Sequence, residues 1–420
     1  DHRDPIPDGP MVKGNPEFEF GITARWGFTP NMTVSTTLNP DYSQVEADAR
    51  ELAVNRPFAI FYPEKRPFFM EGADYFDTSM NIVYTRMMRE PAWGLKLSGK
   101  EGLHTVGAYV VDDDVTNLII PGSERSNATS LEESSTATVL RYKYDIGNRF
   151  TIGGLYTNRK GTNYLNRVMG VDGDLRLTPK DRVMVQVLKS TTRYPDEIVT
   201  DFDQPSGSFD DWAGELVYTH DTRTWEWWAV YADVGAGFRA DLGFMPRVDT
   251  REAGFGVEQN FYGQADDWIN RAQVTLEGWR TENSAGVMTD EYLVLRAWAK
   301  GPLQSIVNAH VIHQQERWNG QLFDRDRQTL WLEARPSGSL YVYGGIINGK
   351  GVDYANSRQG ELRRYDPGLG ANLGRHLLVE LSQNWEELDV EGGRLDRANL
   401  IQGKAVWQFD VRSFLRLQAQ

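Results

Sequence analysis

The HVIH stretch contains the two residues whose type and spacing come nearest to a metal site, His310 and His313. On a strand, residues three apart point to opposite faces, so this pair does not bind one metal ion. The chain also has no GxSxG, HExxH or glycine-rich phosphate-binding motif, the patterns that position a nucleophile, a zinc ion or a phosphate. We therefore predict no catalytic residue, no metal centre and no cofactor.

A run of aspartates at 112–114, followed by VTN, is the best calcium candidate in the sequence. A calcium loop of the EF-hand type requires glycine at its sixth position, where this chain has Asn117. The simpler interpretation is a solvated acidic loop. Binding of Ca²⁺ or lipopolysaccharide by Asp112 and Asp114 at an outer rim stays open as an alternative.

Charged residues alternate with apolar ones in TVLRYKYDIG, as they do on a strand with one charged and one apolar face. The charged face carries Arg141, Lys143 and Asp145. The other face consists of apolar or aromatic residues, namely Leu140, Tyr142, Tyr144 and Ile146. A charged inner face suits a water-filled lumen, so we predict that these three charged residues line one and help to select a solute.

A second group of charges lies in PEKRPFFMEG and comprises Glu64, Lys65, Arg66 and Glu71. We expect them to pair with one another or with the lumen wall, because buried ion pairs commonly fix the register of packed segments. They are therefore candidates for lining a constriction. Catalysis by Glu64 or Glu71 is the less favoured alternative.

Strands with this alternation recur along the whole chain, each about 9 to 14 residues long, which suits a tilted strand crossing roughly 25 Å of hydrocarbon. A soluble sandwich or propeller has shorter strands and fewer charges on its second face. We count about 20 strands, from 17–27 to 411–420. The predicted fold is an all-β transmembrane antiparallel β-barrel of about 20 or more strands.

Composition agrees with such a wall. Aromatic residues make up 12% of the chain, glycines number 40, and 25% of residues are charged, as expected of a barrel with a greasy outside, a wet inside and aromatic girdles. In RTWEWW, Trp225, Trp227 and Trp228 are expected to belong to a girdle, with sugar stacking as the alternative. The net charge of -14 excludes nucleic acid as a partner.

The connections alternate between short and long, which orients a barrel because long loops lie outside the cell. Tight turns follow odd strands, and long connections follow even ones at 113–135, 192–208, 239–248, 318–325, 349–360 and 387–395. The barrel is assigned to 17–420, with an insert of 40–91 at its extracellular end. Residues 1–16 then begin outside or in the lumen, and we expect the chain to be incomplete at one or both ends.

The insert is too apolar for a flexible loop. VEADARELAVN has helical spacing, and the following residues include aromatic side chains that need burial. We predict that the insert folds inward as a plug, or else caps the mouth as a lid. Its predicted core consists of Phe58, Phe61, Tyr62, Phe68 and Phe69.

The stretches NPDYSQVEADARELAVNRPFAIFYPEKRPFFMEG, YTRMMREPAWGLKLSGK and FRADLGFMPRVD resemble an uncharacterised outer-membrane β-barrel family of Gram-negative bacteria. In that family the barrel lies C-terminal to a carbohydrate-binding module of the family 9-like type. The resemblance is strongest over 38–100. It implies an outer-membrane location and an association with glycan, and it supplies no catalytic residue.

These observations predict a barrel in the outer membrane of a Gram-negative bacterium that passes or handles a solute, with a saccharide as one candidate. Outer-membrane lipid is its expected partner, and surface proteins, periplasmic proteins and glycans are further candidates. Two alternatives stay open. One is a non-conducting barrel that anchors or assembles with surface proteins, and the other is an outer-membrane glycan hydrolase.

Overall fold

The computed structural model describes residues 21–40, 55–264 and 266–420, together with the backbone of 2–3 and 11–12. Over these residues the strands form one closed antiparallel sheet in which each strand pairs with the next along the chain. The last strand returns to the first, so the sheet is a barrel. The predicted all-β barrel is confirmed.

The closed sheet contains 22 strand segments. Two of its strands are interrupted, because Gln321–Asp324 and Arg327–Ser337 pair with one neighbour in common, and Arg358–Tyr365 and Gly368–Leu373 share both of theirs. The barrel therefore has two fewer strand positions than segments, in agreement with the predicted count. The second interruption falls at Pro367, which has no N–H to donate to the sheet.

We number the strand positions in chain order. They are β1 Ile22–Thr29, β2 Met32–Leu38, β3 Pro91–Glu101, β4 His104–Asp113, β5 Ser135–Ile146, β6 Phe150–Lys160, β7 Leu165–Arg176, β8 Asp181–Arg193, β9 Ser208–Asp221, β10 Trp225–Val234, β11 Thr250–Tyr262, β12 Arg271–Glu282, β13 Met288–Lys300, β14 Ile306–Trp318, β15 Gln321–Asp324 with Arg327–Ser337, β16 Leu340–Asp353, β17 Arg358–Tyr365 with Gly368–Leu373, β18 Leu377–Val390, β19 Gly393–Gln408 and β20 Phe414–Ala419.

The sequence alternation becomes the two faces of the wall. On β5, Leu140 and Tyr142 are 46% and 47% exposed, whereas Arg141 between them is 3% exposed. Exposed apolar side chains recur in the same way on the other strands, as with Val185 and Val187 on β8. An apolar outer face around a charged interior is the arrangement of a barrel whose outside contacts lipid.

The two ends of the barrel differ in their connections. At one end, which we call the turn end, successive strands are joined by short turns such as 30–31, 102–103 and 147–149. The opposite end carries the insert, and we call it the insert end. It also carries the longer loops 114–134 and 194–207.

Three predicted long loops at the insert end are wrong. The connections predicted at 318–325, 349–360 and 387–395 are hairpins, in which Trp318 pairs with Gln321 and Val390 pairs with Gly393. These strands continue past the length that spans the hydrocarbon, so residues assigned to loops are still paired.

Helices are short and lie in the connections. They are Pro67–Met70 and Asp196–Asp201, with 3-10 turns at Ala73–Phe76, Thr85–Met87 and Pro302–Gln304. A small hairpin of Thr116–Ile120 and Asn127–Leu131 lies in the loop after β4. No helix among the described residues has the length and apolar character needed to cross a membrane.

Two sequence predictions fall largely outside the described residues. The helical pattern of VEADARELAVN ends at Asn55, the first described residue of the insert. Of the segment 1–16, the structure describes a two-residue pairing between His2–Arg3 and Met11–Val12. The helix predicted at 45–55 and the placement predicted for 1–16 therefore stay predictions.

Candidate functional site

The insert enters the barrel. We call its described part, residues 55–90, the plug. Phe68, Phe76 and Ile82 of the plug form one apolar cluster with inward side chains of the wall such as Tyr109 and Val139. The barrel interior is therefore filled on this side by the chain's own insert.

Two wall glycines make room for plug rings. A Cβ atom on Gly94 would lie 2.9 Å from the Phe68 ring, and one on Gly107 would lie 2.8 Å from the Phe76 ring. Real Cβ atoms do not approach so closely, so the rings rest directly on the backbone of β3 and β4. Phe76 also meets Tyr109 edge to face, with ring centroids 5.0 Å apart, an arrangement that aromatic pairs favour.

Polar contacts fix the plug to the same side of the wall. Arg25 on β1 pairs with Glu71 at 3.1 Å, and Nζ of Lys96 on β3 donates to the carbonyl oxygen of Glu71 at 2.5 Å. The backbone N–H of Met80 donates to Oε1 of Gln186 on β8 at 2.8 Å. These three contacts come from the first half of the barrel, whereas Asn55 at the start of the plug contacts β16, where its Nδ2 donates to the carbonyl oxygen of Val352 at 2.5 Å and its Oδ1 accepts from the N–H of Tyr354 at 3.0 Å.

Arg66 ties the plug to itself. Its Nε donates to Oε1 of Glu64 at 2.9 Å and its Nη2 to Oε2 at 2.7 Å. Its guanidinium also donates to the carbonyl oxygens of Met88 at 2.6 Å and Thr85 at 2.8 Å. One buried side chain therefore joins the PEKRPFF turn to the end of the plug.

The electrostatics of Glu64 suit a structural role. Burial raises the pKa of Glu64, but the hydrogen bonds and charge of Arg66, with a hydrogen bond from the Thr85 hydroxyl at 2.6 Å, lower it to about 2. A carboxylate held in the ionised form by two partners has no proton to donate at ordinary pH. This geometry does not favour Glu64 as the general acid of a hydrolase.

An extended loop covers the plug at the insert end. The N–H of Tyr84 donates to the carbonyl oxygen of Leu242 at 2.7 Å. Next to it, the fully buried carboxylate of Asp241 accepts hydrogen bonds from Tyr164 at 2.7 Å and Tyr194 at 3.0 Å. Burial raises the pKa of Asp241, against the lowering effect of both tyrosines. Nothing in the sequence pattern marked this network.

The junction between plug and barrel contains a fully buried ion pair. Asp113 and Arg159 are 2.8 Å apart, and both side chains are 0% exposed. Asp113 also accepts from the N–H of Glu90 at 2.7 Å. Of the two calcium candidates beside Asp113, Asp112 does not share this ion pair and accepts a hydrogen bond from the Thr136 hydroxyl at 3.0 Å. In the described part of the chain, no three His, Cys, Asp or Glu residues converge to hold a metal ion.

The charged residues predicted for the lumen lie beneath the plug. Arg141 donates to both carboxylate oxygens of Asp172, at 2.5 and 2.8 Å. Asp145 pairs with Lys100 at 2.6 Å. Lys143, on the same strand between Arg141 and Asp145, is half-buried. Arg141 pairs in register with Gly107, the glycine under Phe76.

The five residues predicted for the insert core differ in their burial. Phe68 and Phe69 are 4% and 3% exposed, and Phe58 and Tyr62 are half-buried. Phe61 does not belong to the core, since it is 47% exposed. Its ring lies 4.9 Å from that of Tyr84 and faces a cavity, because the second half of the barrel leaves space beside the plug.

That cavity has a volume of about 650 Å³ and lies between plug residues 55–61 and the inner faces of β13 to β19. Its wall is rich in charge. The ionisable residues that line it are Arg56, Arg247, Asp290, Glu316, Arg325, Arg327, Arg364, Glu386 and Asp396. Sequence reasoning missed all of these, because their common feature is their position in the sheet and not their spacing in the chain.

A second cavity of about 300 Å³ involves the same strands closer to the turn end. Tyr341, Glu380, Lys404 and Gln418 line it and form one register row with Gly370. The two cavities therefore follow one another along the wall of β16 to β19, on the side of the lumen away from the plug contacts of β1, β3 and β8.

The tryptophans of RTWEWW do not share one face. Trp225 and Trp227 are 41% and 38% exposed on the outer face. Trp228 points inward, where its ring lies 5.5 Å from that of Trp279 and against Gly256. Trp228 is therefore not a girdle residue, because adjacent residues of a strand alternate between faces.

The two histidines are not brought together. Nε2 of His310 donates to Oδ1 of Asn308 at 2.6 Å, whereas Nδ1 of His313 lies 2.8 Å from Oδ1 of Asp326. Their separation follows from the three-residue spacing on β14.

Comparisons with known proteins give one family match and several structural similarities. A family model described as a domain of unknown function (DUF5916) matches residues 11–98, which include β1, β2, most of β3 and the whole insert. No functionally curated protein shows significant similarity to the chain. The structural similarities are to outer-membrane proteins.

OccAB2 of Acinetobacter baumannii is 10% identical with a TM-score of 0.43, and 76% of this chain covers 91% of that structure. OccK7 of Pseudomonas aeruginosa is 11% identical with a TM-score of 0.40, with coverage of 74% and 91%. The siderophore receptor PirA of A. baumannii is 10% identical with a TM-score of 0.45, with coverage of 76% and 65%. At these values the similarity concerns architecture, and no function is carried over.

Proposed function

We propose that this protein is a channel in the outer membrane of a Gram-negative bacterium, and that a small hydrophilic solute passes between the plug and the inner faces of β13 to β19. One observation carries the proposal. Plug residues 68–80 are fastened to β1, β3 and β8, whereas two cavities follow one another along β16 to β19. A lumen narrowed on one side and lined by charge on the other selects solutes by size and charge.

A saccharide is the solute that the sequence resemblance suggests. The lumen has aromatic rings that suit it, since Trp331 stacks on Tyr343 with centroids 5.5 Å apart on the open side of the wall. Sugar rings present apolar faces that pack on such side chains. Uptake of maltotriose by proteoliposomes tests this part of the proposal, and exclusion of maltotriose with passage of other solutes of its size would contradict it.

The proposed path of the solute along β16 to β19 is tested by narrowing the smaller cavity near the turn end. Gly370→Trp places a large ring among the lumen side chains, where a Cβ atom meets nothing nearer than 3.9 Å. We expect a several-fold lower single-channel conductance. Gly154→Trp is the matched control, because Gly154 shares the outer face of β6 with Ile152 and an added Cβ there also meets nothing nearer than 3.9 Å. Equal conductance in both variants would exclude this route.

A further inference from the structure

We infer that the larger cavity is a binding site for a short zwitterionic peptide, with the peptide carboxylate on Arg327 and its ammonium group on Asp396. The inference deepens the proposed function and rests on it for movement of the peptide across the membrane. Both charged residues line the same cavity. They belong to β15 and β19, four strand spacings apart on its wall.

Most charges of the cavity neutralise one another. The pairs are Arg247 with Asp290 at 2.6 Å, Arg325 with Glu316 at 2.5 Å, and Arg364 with Asp366 at 2.9 Å and Glu386 at 3.9 Å. These arginines already pair with carboxylates of the protein. A charged ligand therefore gains most binding energy from charged residues that have no such pair.

Among the described residues, Arg327 and Asp396 have no partner of opposite charge. Nε of Arg327 donates to the carbonyl oxygen of Arg325 at 3.3 Å and Nη2 to Oε1 of Gln314 at 2.8 Å. Both acceptors are neutral, and within the described ranges no carboxylate lies within ion-pair distance of Arg327. Asp396 likewise forms no ion pair or hydrogen bond with the residues that the structure describes.

The register of the sheet places the two charges on one line. Arg327 pairs with Gly349, Gly349 with Leu362, Leu362 with Leu388, and Leu388 with Asp396. This row crosses five neighbouring strands. It begins with a cation, continues over a glycine and two leucines, and ends with an anion. Its centre is apolar and its two ends are charged with opposite sign.

The length of the row sets the length of the ligand. Four strand spacings of about 4.8 Å separate the ends by about 19 Å along the wall. The two side chains reach inward and shorten this span by several ångströms. An extended peptide covers roughly 3.3 to 3.6 Å per residue, so three to five residues connect the two charges.

The opposite side of the cavity suits the middle of such a peptide. Plug residues Phe58, Ile60 and Phe61 lie there, across from Leu362 and Leu388. Apolar side chains of a peptide are buried between these two surfaces. The plug therefore contributes to the site as well as narrowing the lumen.

Other ligand classes match the row less well. A neutral saccharide brings no charge to either end of the row, so Arg327 and Asp396 both stay without an ionic partner. A dianion brings a like charge to Asp396, which is unfavourable. A single amino acid carries both charges but is too short to reach both ends.

The test compares four peptides that differ only in their end groups. Binding of trialanine, N-acetyl-trialanine, trialanine amide and N-acetyl-trialanine amide to the detergent-solubilised protein is measured by isothermal titration calorimetry. We expect trialanine to bind at least tenfold more tightly than either singly capped peptide. Equal affinity for all four, no binding of any, or equal affinity for trialanine and N-acetyl-trialanine would each overturn the inference, the last in favour of a simple anion site.

Two variants test which residue binds which end of the peptide. Arg327→Gln is expected to abolish the difference between trialanine and its amide, and Asp396→Asn to abolish the difference between trialanine and its N-acetyl form. Arg182→Gln is the control, because it removes a cation near the turn end of β8, where Arg182 pairs with Asp174 at 2.6 Å. If the control changes the peptide preferences as much as Arg327→Gln does, the assignment is overturned.

Flux separates this inference from the proposed function. Trialanine uptake by proteoliposomes is measured beside the calorimetry. Tight, end-group-dependent binding without uptake overturns passage and leaves the site standing. Uptake at equal rates for all four peptides, without end-group-dependent binding, overturns the site and leaves passage standing.

Discussion

At the scale of single residues, wall glycines decide where the plug packs. Gly107 lies under the Phe76 ring, so Gly107→Val would force the ring out of contact with the backbone of β4. Overpacking of this kind costs typically about 1 to 3 kcal/mol. We expect faster proteolysis of the plug, measured by limited digestion of the folded protein in detergent.

Gly403→Val is the matched control for that variant. Gly403 also lies in a strand, but an added Cβ there has no atom within 4 Å. Its plug should be digested at the rate of the unchanged protein. Equal protection of the plug in both variants would show that Phe76 does not depend on Gly107.

The Glu64 carboxylate makes plug stability depend on acid pH. Its pKa is about 2 in the folded protein against 4.5 for the free group, so its ionised form stabilises the plug above about pH 4.5 and this contribution is lost as pH falls towards 2. We expect Glu64→Gln to remove roughly 2 kcal/mol at neutral pH and almost nothing near pH 2. Hydrogen exchange of residues 64–70, corrected for intrinsic rates, measures the difference. A pH-independent difference would contradict the role of the charge.

At the scale of elements, the alternation of each strand determines which substitutions are tolerated. Ile401 is 52% exposed on the outer face of β19, and Gln402 is its inward neighbour. Ile401→Arg is expected to destabilise the barrel by about 2 to 4 kcal/mol, the cost of arginine at mid-membrane on a lipid face. Gln402→Arg should cost much less. Urea unfolding in lipid vesicles measures both, and equal losses would contradict the assignment of faces.

The insert is separable from the barrel. The N–H of Asn39 donates to the carbonyl oxygen of Ala92 at 2.7 Å, so the two ends of the insert are adjacent. β2 also pairs directly with β3. We expect a chain in which a short Gly-Ser turn replaces 40–90 to fold into a barrel, because the one bridge of the described plug, between Met88 and Thr116, involves a loop hairpin and not a barrel strand. A heat-modifiable band in electrophoresis reports the folded barrel, and its absence would show that the insert is required for folding.

Strand faces could be predicted from the sequence because they depend on a period of two. Arg141 and Tyr142 illustrate this, since adjacent positions fix their opposite directions. The ends of strands were harder, as the hairpin at 318–321 shows, because paired residues beyond the membrane need no apolar face. Trp228 was misassigned because composition favoured a girdle, although its alternation with Trp227 already placed the two rings on opposite faces.

The cavity could not be predicted for a different reason. Arg327 and Asp396 are far apart in the chain and meet on one row only after four hairpin registers are fixed. A shift of one residue in any of them would send one charge to the lipid face. Registers depend on turn geometry, which the alternation of apolar and charged residues does not contain.

At the scale of the whole molecule, one chain supplies both the wall and the element that narrows it. Plug residues 68–80 pack on one side, and the cavities lie on the other, where plug residues 55–61 line the larger one. Under the proposed function, this division reduces the lumen to a selective path. It also predicts that restraining the plug leaves conduction intact.

An engineered disulfide can hold the plug in place for this test. An added Cβ on Gly72 lies 3.3 Å from Cβ of Ser98, close to the spacing found in disulfides, and the chain has no other cysteine. Gly72 has φ of 64°, so cysteine there costs about 1 to 2 kcal/mol. We expect Gly72→Cys with Ser98→Cys to conduct equally when oxidised and when reduced. Conduction only after reduction would mean that the plug must leave the lumen.

The most direct test of the central claim is single-channel conductance in planar bilayers, compared between the unchanged protein and the chain with 40–90 replaced by a short turn. A lumen that the plug narrows on one side predicts small discrete steps for the unchanged protein and several-fold larger steps for the shortened one. Silence of both proteins, with the shortened barrel shown to be folded, would contradict a channel and favour an anchoring barrel.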